Sequence, residues 1–127
     1  METEGLHHIG LRVSNIERAK AFYTSALGFA SVLDTDGLSL VGGHGTLLGL
    51  RGGAPETPAG DTFSPFRVGL DHVALGVGAA ALESLKASLD AANVRNNGIE
   101  HDDLTGASYV SFYDPDGIAW ELYATHA

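Results

Sequence analysis

An internal repeat constrains the fold of this chain more than any other feature of its sequence. Residues 6–13 read Leu-His-His-Ile-Gly-Leu-Arg-Val, and residues 70–77 read Leu-Asp-His-Val-Ala-Leu-Gly-Val. His8 of the first segment matches His72 of the second, and the apolar residues that follow each histidine match at the same separation. Alternating apolar residues are typical of a half-buried strand. Each segment is therefore predicted to be a strand whose histidine lies on the face opposite the apolar one.

Each predicted strand is followed by the pattern of a helix and then by short strands. Ser14 and Glu17 form a capping-box signature, and an apolar stripe at helical spacing continues from there to Gly28. In the second copy a leucine stripe leads to Asn93, which is predicted to end the helix as Gly28 does. Alternating segments separated by Gly and Asp turns predict strands at 29–34, 37–42, 45–51, 94–100, 108–113 and 117–124.

The sequence thus predicts an α+β fold in which two tandem βαβββ modules form one domain over residues 1–127. The first module spans about 5–52 and the second about 70–125, with a connection at about 53–69 that contains three of the four prolines. A connection of this length without its own structure is usually functional or mobile. It is either a linker between the modules or a lid over a site.

The last strands of the two copies also align, which places Gly49 over Glu121. Glu121 shares the face opposite the apolar one, as the two histidines do in their strands. Two imidazoles and one carboxylate are the ligand set of the facial triad, which binds a divalent metal and leaves positions open for substrate oxygens. A single strand histidine is more often structural, but its repetition favours a metal site. The sequence therefore predicts one divalent ion (Fe, Mn, Zn or Ni) bound by His8, His72 and Glu121.

Three further residues are candidates, each with a structural alternative. Arg12 lies on the face of His8 and is predicted to contact an anionic group of a substrate, or else to form a salt bridge at the rim. Tyr123 shares the face of Glu121 and either lines the substrate site or packs there. His101 is either a general base or a solvated loop residue.

The composition excludes some classes of partner. The net charge is −9 and only 7 residues are Lys or Arg, which argues against nucleic acid. The absence of cysteine excludes disulfides and thiolate metal sites. No signal peptide or membrane span is recognised, so we expect a cytoplasmic protein without a membrane partner.

The chain resembles the vicinal oxygen chelate superfamily, which includes glyoxalase I, extradiol dioxygenases, fosfomycin-resistance thiol transferases and bleomycin-resistance proteins. The resemblance is carried by His-His-Ile-Gly-Leu-Arg-Val, Leu-Gly-Phe, Asp-His-Val-Ala-Leu, and Asp-Pro-Asp-Gly ahead of Trp-Glu-Leu. It implies paired modules forming a cupped mixed sheet, a homodimer and a small-molecule substrate. It also implies that His8, His72 and Glu121 occupy the family's metal-ligand positions.

The departures from the family patterns bear on the reaction. Glyoxalase I has a fourth ligand, a glutamate, where this chain has Gly49. Extradiol dioxygenases resemble the chain in their three ligands, but they have a tyrosine where this chain has Ser111. Tyr109 could replace that tyrosine only out of register. These enzymes also have a histidine near the site, and His101 is a displaced counterpart of it. Fosfomycin-type transferases have a threonine at the position of Gly10.

We therefore expect a small metal-dependent enzyme that acts on a substrate with neighbouring oxygens, with a dioxygenase-like reaction favoured and Glu121, His101 and Tyr109 as catalytic candidates. A fosfomycin-type thiol transferase and a glyoxalase-type lyase are the alternatives. A metal-free drug- or metabolite-binding resistance protein is an alternative from another class.

Overall fold

The computed structural model describes residues 1–126, so that Ala127, the last residue of the predicted domain, lies outside the described residues. The chain divides into two compact units, which we call unit 1 (Met1–Asp61) and unit 2 (from Thr62 onward). The boundary falls inside the predicted connection, and residues 52–72 contain no helix or strand.

Unit 1 is a four-stranded mixed sheet with one helix. Strand β1 (Ile9–Arg12) is followed by helix α1 (Ile16–Ala21), which continues as a π-helical turn at Phe22–Ala26. The remaining strands are β2 (Ala30–Thr35), β3 (Leu38–Gly43) and β4 (Thr46–Arg51). The strand order is β1-β4-β3-β2, with β1 parallel to β4 and the other pairs antiparallel.

Unit 2 repeats this topology. Strand β5 (Val73–Gly78) leads through a short 3-10 turn to helix α2 (Leu82–Ala91), and β6 (Asn96–His101), β7 (Ser108–Tyr113) and β8 (Ala119–His126) follow. The strand order is β5-β8-β7-β6, with the same parallel first pair. The predicted α+β fold of two tandem βαβββ modules is confirmed, and the ends of the six predicted short strands lie within two residues of the observed ones.

The registers of the parallel strand pairs, β1 with β4 and β5 with β8, are equivalent in the two copies. Gly10 of β1 lies opposite Gly49 of β4 in unit 1. At the equivalent place in unit 2, Ala74 of β5 lies opposite Glu121 of β8. Glycine in unit 1 therefore occupies the structural position that carries the carboxylate in unit 2.

The start of helix α1 differs from the prediction. The capping box at Ser14 and Glu17 predicts Ser14 as the N-cap, and this is wrong by one residue. Asn15 is the N-cap; its backbone is extended, and its side-chain oxygen accepts a hydrogen bond from the amide of Arg18 at 2.9 Å. Asn and Ser cap helices about equally well, so residue preference alone does not choose between neighbours. The predicted helix ends are confirmed, since Gly28 and Asn93 both have positive φ, of 77° and 57°.

One face of each sheet packs against the helix of its unit. In unit 2 the fully buried side chains of Val110, Phe112 and Trp120 form this apolar face, with the rings of Phe112 and Trp120 stacked at 6.3 Å. Each buried side chain of this size contributes roughly 1.5–3 kcal/mol. We call the other side of the unit 2 sheet its open face. Among the residues that the structure describes, neither helix has the length and apolar composition needed to cross a bilayer.

Candidate metal centre

His72 and Glu121 come together on the open face of unit 2. His72 immediately precedes β5, and the parallel pairing of β5 with β8 brings Glu121 next to it. The distance from Nε2 of His72 to Oε1 of Glu121 is 3.3 Å. Their side chains are 39% and 17% exposed, so the pair is anchored in the sheet and still reachable from outside.

Asp71 holds the other side of the His72 ring. Its Oδ1 lies 2.7 Å from Nδ1 of His72. An ionised carboxylate only accepts hydrogen bonds, so Nδ1 carries the proton and donates it. In a neutral imidazole Nε2 then presents a lone pair, and this lone pair faces the carboxylate of Glu121, which is also an acceptor.

The donor chemistry and spacing of this pair are compatible with a divalent metal ion. Two acceptors at 3.3 Å are stabilised by a shared cation. Ligand atoms at about 2.1 Å from one ion, separated by an angle of about 100°, lie roughly 3.2 Å apart. Imidazole nitrogen and carboxylate oxygen are ligands that borderline divalent ions accept. His72 and Glu121 therefore form two ligands of a candidate metal centre.

The third predicted ligand, His8, belongs to unit 1. It immediately precedes β1, and its Nδ1 lies 2.8 Å from Nδ1 of His7. Within residues 1–125, whose side chains the structure describes, no group of three or more His, Asp or Glu side chains is arranged to hold a metal ion. Unit 2 thus brings together two of the three predicted ligands, and the participation of His8 stays a prediction based on its equivalence to His72.

Arg12 is exposed at the end of β1, where it lies opposite Arg51 of β4. Its Nη1 donates a hydrogen bond to the carbonyl oxygen of Gly52 at 2.7 Å. This contact satisfies one of the five guanidinium N–H donors, so the side chain retains donors for an anionic group.

Two stacked tyrosines lie on the open face beside Glu121. Tyr109 of β7 is directly opposite Tyr123 of β8, with ring centroids 5.9 Å apart and planes 15° from parallel. The Tyr123 hydroxyl donates to Oδ2 of Asp102 at 2.8 Å and also contacts the Thr105 hydroxyl. Tyr123 therefore ties the β6–β7 loop to the sheet.

These hydrogen bonds shift the acidity of the groups involved. The Tyr123 hydroxyl lowers the pKa of Asp102 below its ordinary value of 3.8. The Thr105 contact lowers the pKa of Tyr123, but the Asp102 carboxylate and desolvation outweigh it, so the net pKa is raised. The pKa of Tyr109 is also raised, chiefly by desolvation and then by the negative charges of Glu100 and Glu121. Both phenols are protonated at neutral pH.

Tyr109 is therefore available as a hydrogen-bond donor on the open face. Its hydroxyl donates to Oε2 of Glu100 at a long distance of 3.4 Å, which is a weak hydrogen bond. Ser111, two residues further along β7, lies directly opposite Glu121. Tyr109 thus lies on the open face, two residues along β7 from the residue that pairs with Glu121.

His101 lies on the other side of the sheet. It pairs with Ser108, and its Nδ1 is 3.0 Å from the Ser108 hydroxyl. Ser108 precedes Tyr109, and neighbouring residues of a strand point to opposite faces. His101 therefore belongs to the face of the buried Val110, away from Glu121.

The sequence analysis missed Asp71, Asp102 and Glu100, which contact His72, Tyr123 and Tyr109. A signal for Asp71 was available, because it directly precedes a repeated histidine. Asp102 and Glu100 carried no such signal, because their contacts depend on the pairing of distant strands.

The comparisons with known proteins agree with this architecture. A model of the Glyoxalase/Bleomycin resistance protein/Dioxygenase superfamily matches residues 5–122. The uncharacterized protein YwkD of Bacillus subtilis is 32% identical over 130 residues, which cover 97% of this chain and 98% of that protein.

Two solved structures share the fold. The glyoxalase family protein from Enterococcus faecalis superposes with a TM-score of 0.80 and 26% identity, covering 94% of this chain and 97% of that one. The fosfomycin resistance protein FosX from Listeria monocytogenes, complexed with Mn(II) and sulfate, has a TM-score of 0.78 at 18% identity and covers 97% and 91% of the two chains. The extent of the family match leads to one conclusion: this chain belongs to the glyoxalase/bleomycin resistance protein/dioxygenase superfamily.

Proposed function

We propose that this protein is a small divalent-metal enzyme that binds its substrate through neighbouring oxygens. The observation that carries the proposal is the approach of Nε2 of His72 to Oε1 of Glu121, at 3.3 Å, on the open face of unit 2. His8 is the proposed third ligand because it is the repeat equivalent of His72, and a homodimer is the proposed assembly. A metal ion bound there would act as a Lewis acid toward substrate oxygens.

The remaining roles belong to the side chains. Tyr109 is protonated at neutral pH, so its hydroxyl donates a hydrogen bond to a substrate oxygen. Tyr123 holds the β6–β7 loop through Asp102 and provides an aromatic wall. Arg12 contacts an anionic group of the substrate, since a guanidinium matches carboxylate and phosphonate geometry.

Oxygenolytic cleavage is the reaction that a His-His-Glu set favours by ligand count. A second candidate is the addition of water or a thiol, and one observation favours it. His101 lies on the other face of the sheet, whereas Tyr109, whose hydroxyl makes only a weak hydrogen bond, is a proton donor on the open face. In one FosX structure of the same fold the ligands are Mn(II) and 1S,2S-dihydroxypropylphosphonic acid, a small molecule with neighbouring oxygens. A glyoxalase-type reaction has less support, because Gly49 supplies no carboxylate.

The test is metal content. Freshly purified protein, and protein stripped with a chelator and titrated with Fe(II), Mn(II), Zn(II) or Ni(II), is expected to bind about one ion per chain by elemental mass spectrometry. Glu121→Gln keeps the shape of the side chain but removes the anionic ligand, so it should lose most of this binding. Ser111→Ala, on the same face directly opposite Glu121, is the matched control and should bind as the wild type does.

Failure to bind any of the ions would refute the proposal and favour a metal-free binding protein. If metal is bound, oxygen consumption with a panel of catechols separates the two reaction types. Uptake of oxygen supports cleavage. Turnover of an epoxide with water or a thiol, without oxygen uptake, supports addition.

A further inference from the structure

We propose that the residue immediately before each repeated histidine orients that histidine for the metal ion. Asp71 orients His72, and His7 orients His8. The inference rests on the proposed function, and it adds two positioning residues that do not themselves contact the metal.

The contacts are possible because both pairs lie just before a strand. Within a strand, consecutive side chains point to opposite faces and do not meet. Asp71 and His72 precede the first residue of β5, and His7 and His8 precede the first residue of β1. At these positions, outside the paired strands, the adjacent side chains contact each other.

In both copies the contact engages Nδ1 of the histidine. Asp71 Oδ1 lies 2.7 Å from Nδ1 of His72. In unit 1 the two Nδ1 atoms of His7 and His8 lie 2.8 Å apart, with the rings nearly perpendicular at 85°. Nε2 is left as the available ligand atom in each case. The residue types differ between the copies, but the atom they engage is the same.

A partner on the second ring nitrogen fixes the tautomer and the ring orientation of a metal-binding histidine. Such partners are usually carboxylates or carbonyls, and their loss typically lowers metal affinity about 10–100-fold. Asp71 is of this kind, since its carboxylate can only accept. His7 can either donate or accept, so it holds His8 in place but fixes its tautomer less firmly.

The first experiment uses Asp71→Ala and Asp71→Asn, with Asp103→Ala as the control that removes one exposed carboxylate elsewhere in unit 2. Nitrogen NMR of the metal-free protein at alkaline pH, where imidazole is neutral, reports the His72 tautomer. We expect the Nδ1–H form in the wild type and a shift toward Nε2–H in Asp71→Ala. Asp71→Asn keeps an acceptor oxygen, so it should retain the wild-type tautomer, and Asp103→Ala should change nothing.

Metal titration of the same variants gives the second readout. Asp71→Ala should bind Mn(II) about 10–100-fold more weakly than the wild type, and Asp71→Asn should fall between them. Unchanged tautomer and affinity in Asp71→Ala would overturn the role of Asp71. A wild type that binds no metal would instead refute the proposed function, whatever the tautomer. The two failures are therefore distinguishable.

His7 is tested by removal and by replacement with the residue of the other copy. His7→Ala should weaken Mn(II) binding, because His8 loses the contact that holds its ring. His7→Asp recreates in unit 1 the carboxylate–histidine pair of unit 2, so it should restore the affinity to the wild-type level or above. Equal affinities of the wild type and His7→Ala, or of His7→Ala and His7→Asp, would overturn the role of His7.

Discussion

Replacement of Gly49 by alanine tests whether the fourth ligand of a glyoxalase-type site is missing for lack of space. Gly49 lies in the middle of β4, between β1 and β3, at the position equivalent to Glu121. A Cβ atom added there would meet Cδ1 of Leu38 at 3.6 Å and the carbonyl oxygen of Ile9 at 4.0 Å. Both are ordinary van der Waals distances, so the strand accepts a side chain without moving.

The expected effect is stabilising. Glycine in the interior of a strand costs about 0.5–1 kcal/mol relative to alanine, because the unfolded glycine chain has more conformations to lose. With no clash to offset this gain, Gly49→Ala should raise Tm by about 2–5 °C in a domain of this size. Thermal unfolding followed by circular dichroism measures the change.

Gly43→Ala is the matched control, since it makes the same chemical change in the neighbouring strand β3. Its added Cβ would lie 3.3 Å from Cα of Phe29 and 3.3 Å from the ring, and the backbone atom cannot turn aside. Overpacking of this kind costs about 1–3 kcal/mol, so Tm should fall or stay unchanged. A lower Tm for Gly49→Ala, or equal increases for both variants, would refute the reasoning from space. The expected result means that the backbone around Gly49 does not require glycine, since a Cβ atom fits there.

Two further predictions concern the hydrogen bonds of unit 2. The hydrogen bond from the Tyr123 hydroxyl lowers the pKa of Asp102 below its ordinary value of 3.8. This hydrogen bond therefore stabilises the folded state fully at neutral pH, and its contribution is lost as the pH falls through the lowered pKa. Tyr123→Phe should therefore raise the Asp102 midpoint in an NMR titration, and an unchanged midpoint would contradict the assignment. Asp114 is buried and accepts hydrogen bonds from two backbone amides at 2.9 and 2.8 Å. Asp114→Ala should lower the free energy of unfolding by about 1–3 kcal/mol in denaturant titrations. Asp114→Asn should lower it clearly less, because asparagine keeps an oxygen that can accept the two hydrogen bonds. Equal losses for the two variants would contradict this role of the acceptor oxygen.

Much of the fold was predictable because it follows from local periodicity and from the repeat. Alternation of apolar residues placed the six short strands within two residues, while the first strand of each copy begins three residues later than predicted. Gly28 and Asn93 ended the helices where their tolerance of positive φ predicted. Alignment of the two copies also predicted that Gly49 and Glu121 are equivalent, and the strand registers confirm it. These features depend on short stretches of chain, which the sequence records directly.

The placement of His101 shows where such reasoning ends. Strands β6 and β7 pair with a bulge between Asn96 and Ile99, where Gly98 has a φ of 76°. One extra residue in a strand moves every later side chain to the opposite face. The bulge therefore turns His101 away from the open face, and simple alternation along the sequence does not detect it.

The sequence by itself determined the duplicated topology and the apolar face of each sheet, and it predicted the two histidines and the carboxylate as metal ligands. Only the tertiary structure decided which side chains meet them: Asp71 at Nδ1 of His72, and Glu121 at Nε2. The physical reason is that a residue type and its spacing fix a preference for a strand face. A contact between two side chains also depends on the residue at which a strand begins and on the register of that strand with one far away in the chain. Both are set by the packing of the whole unit.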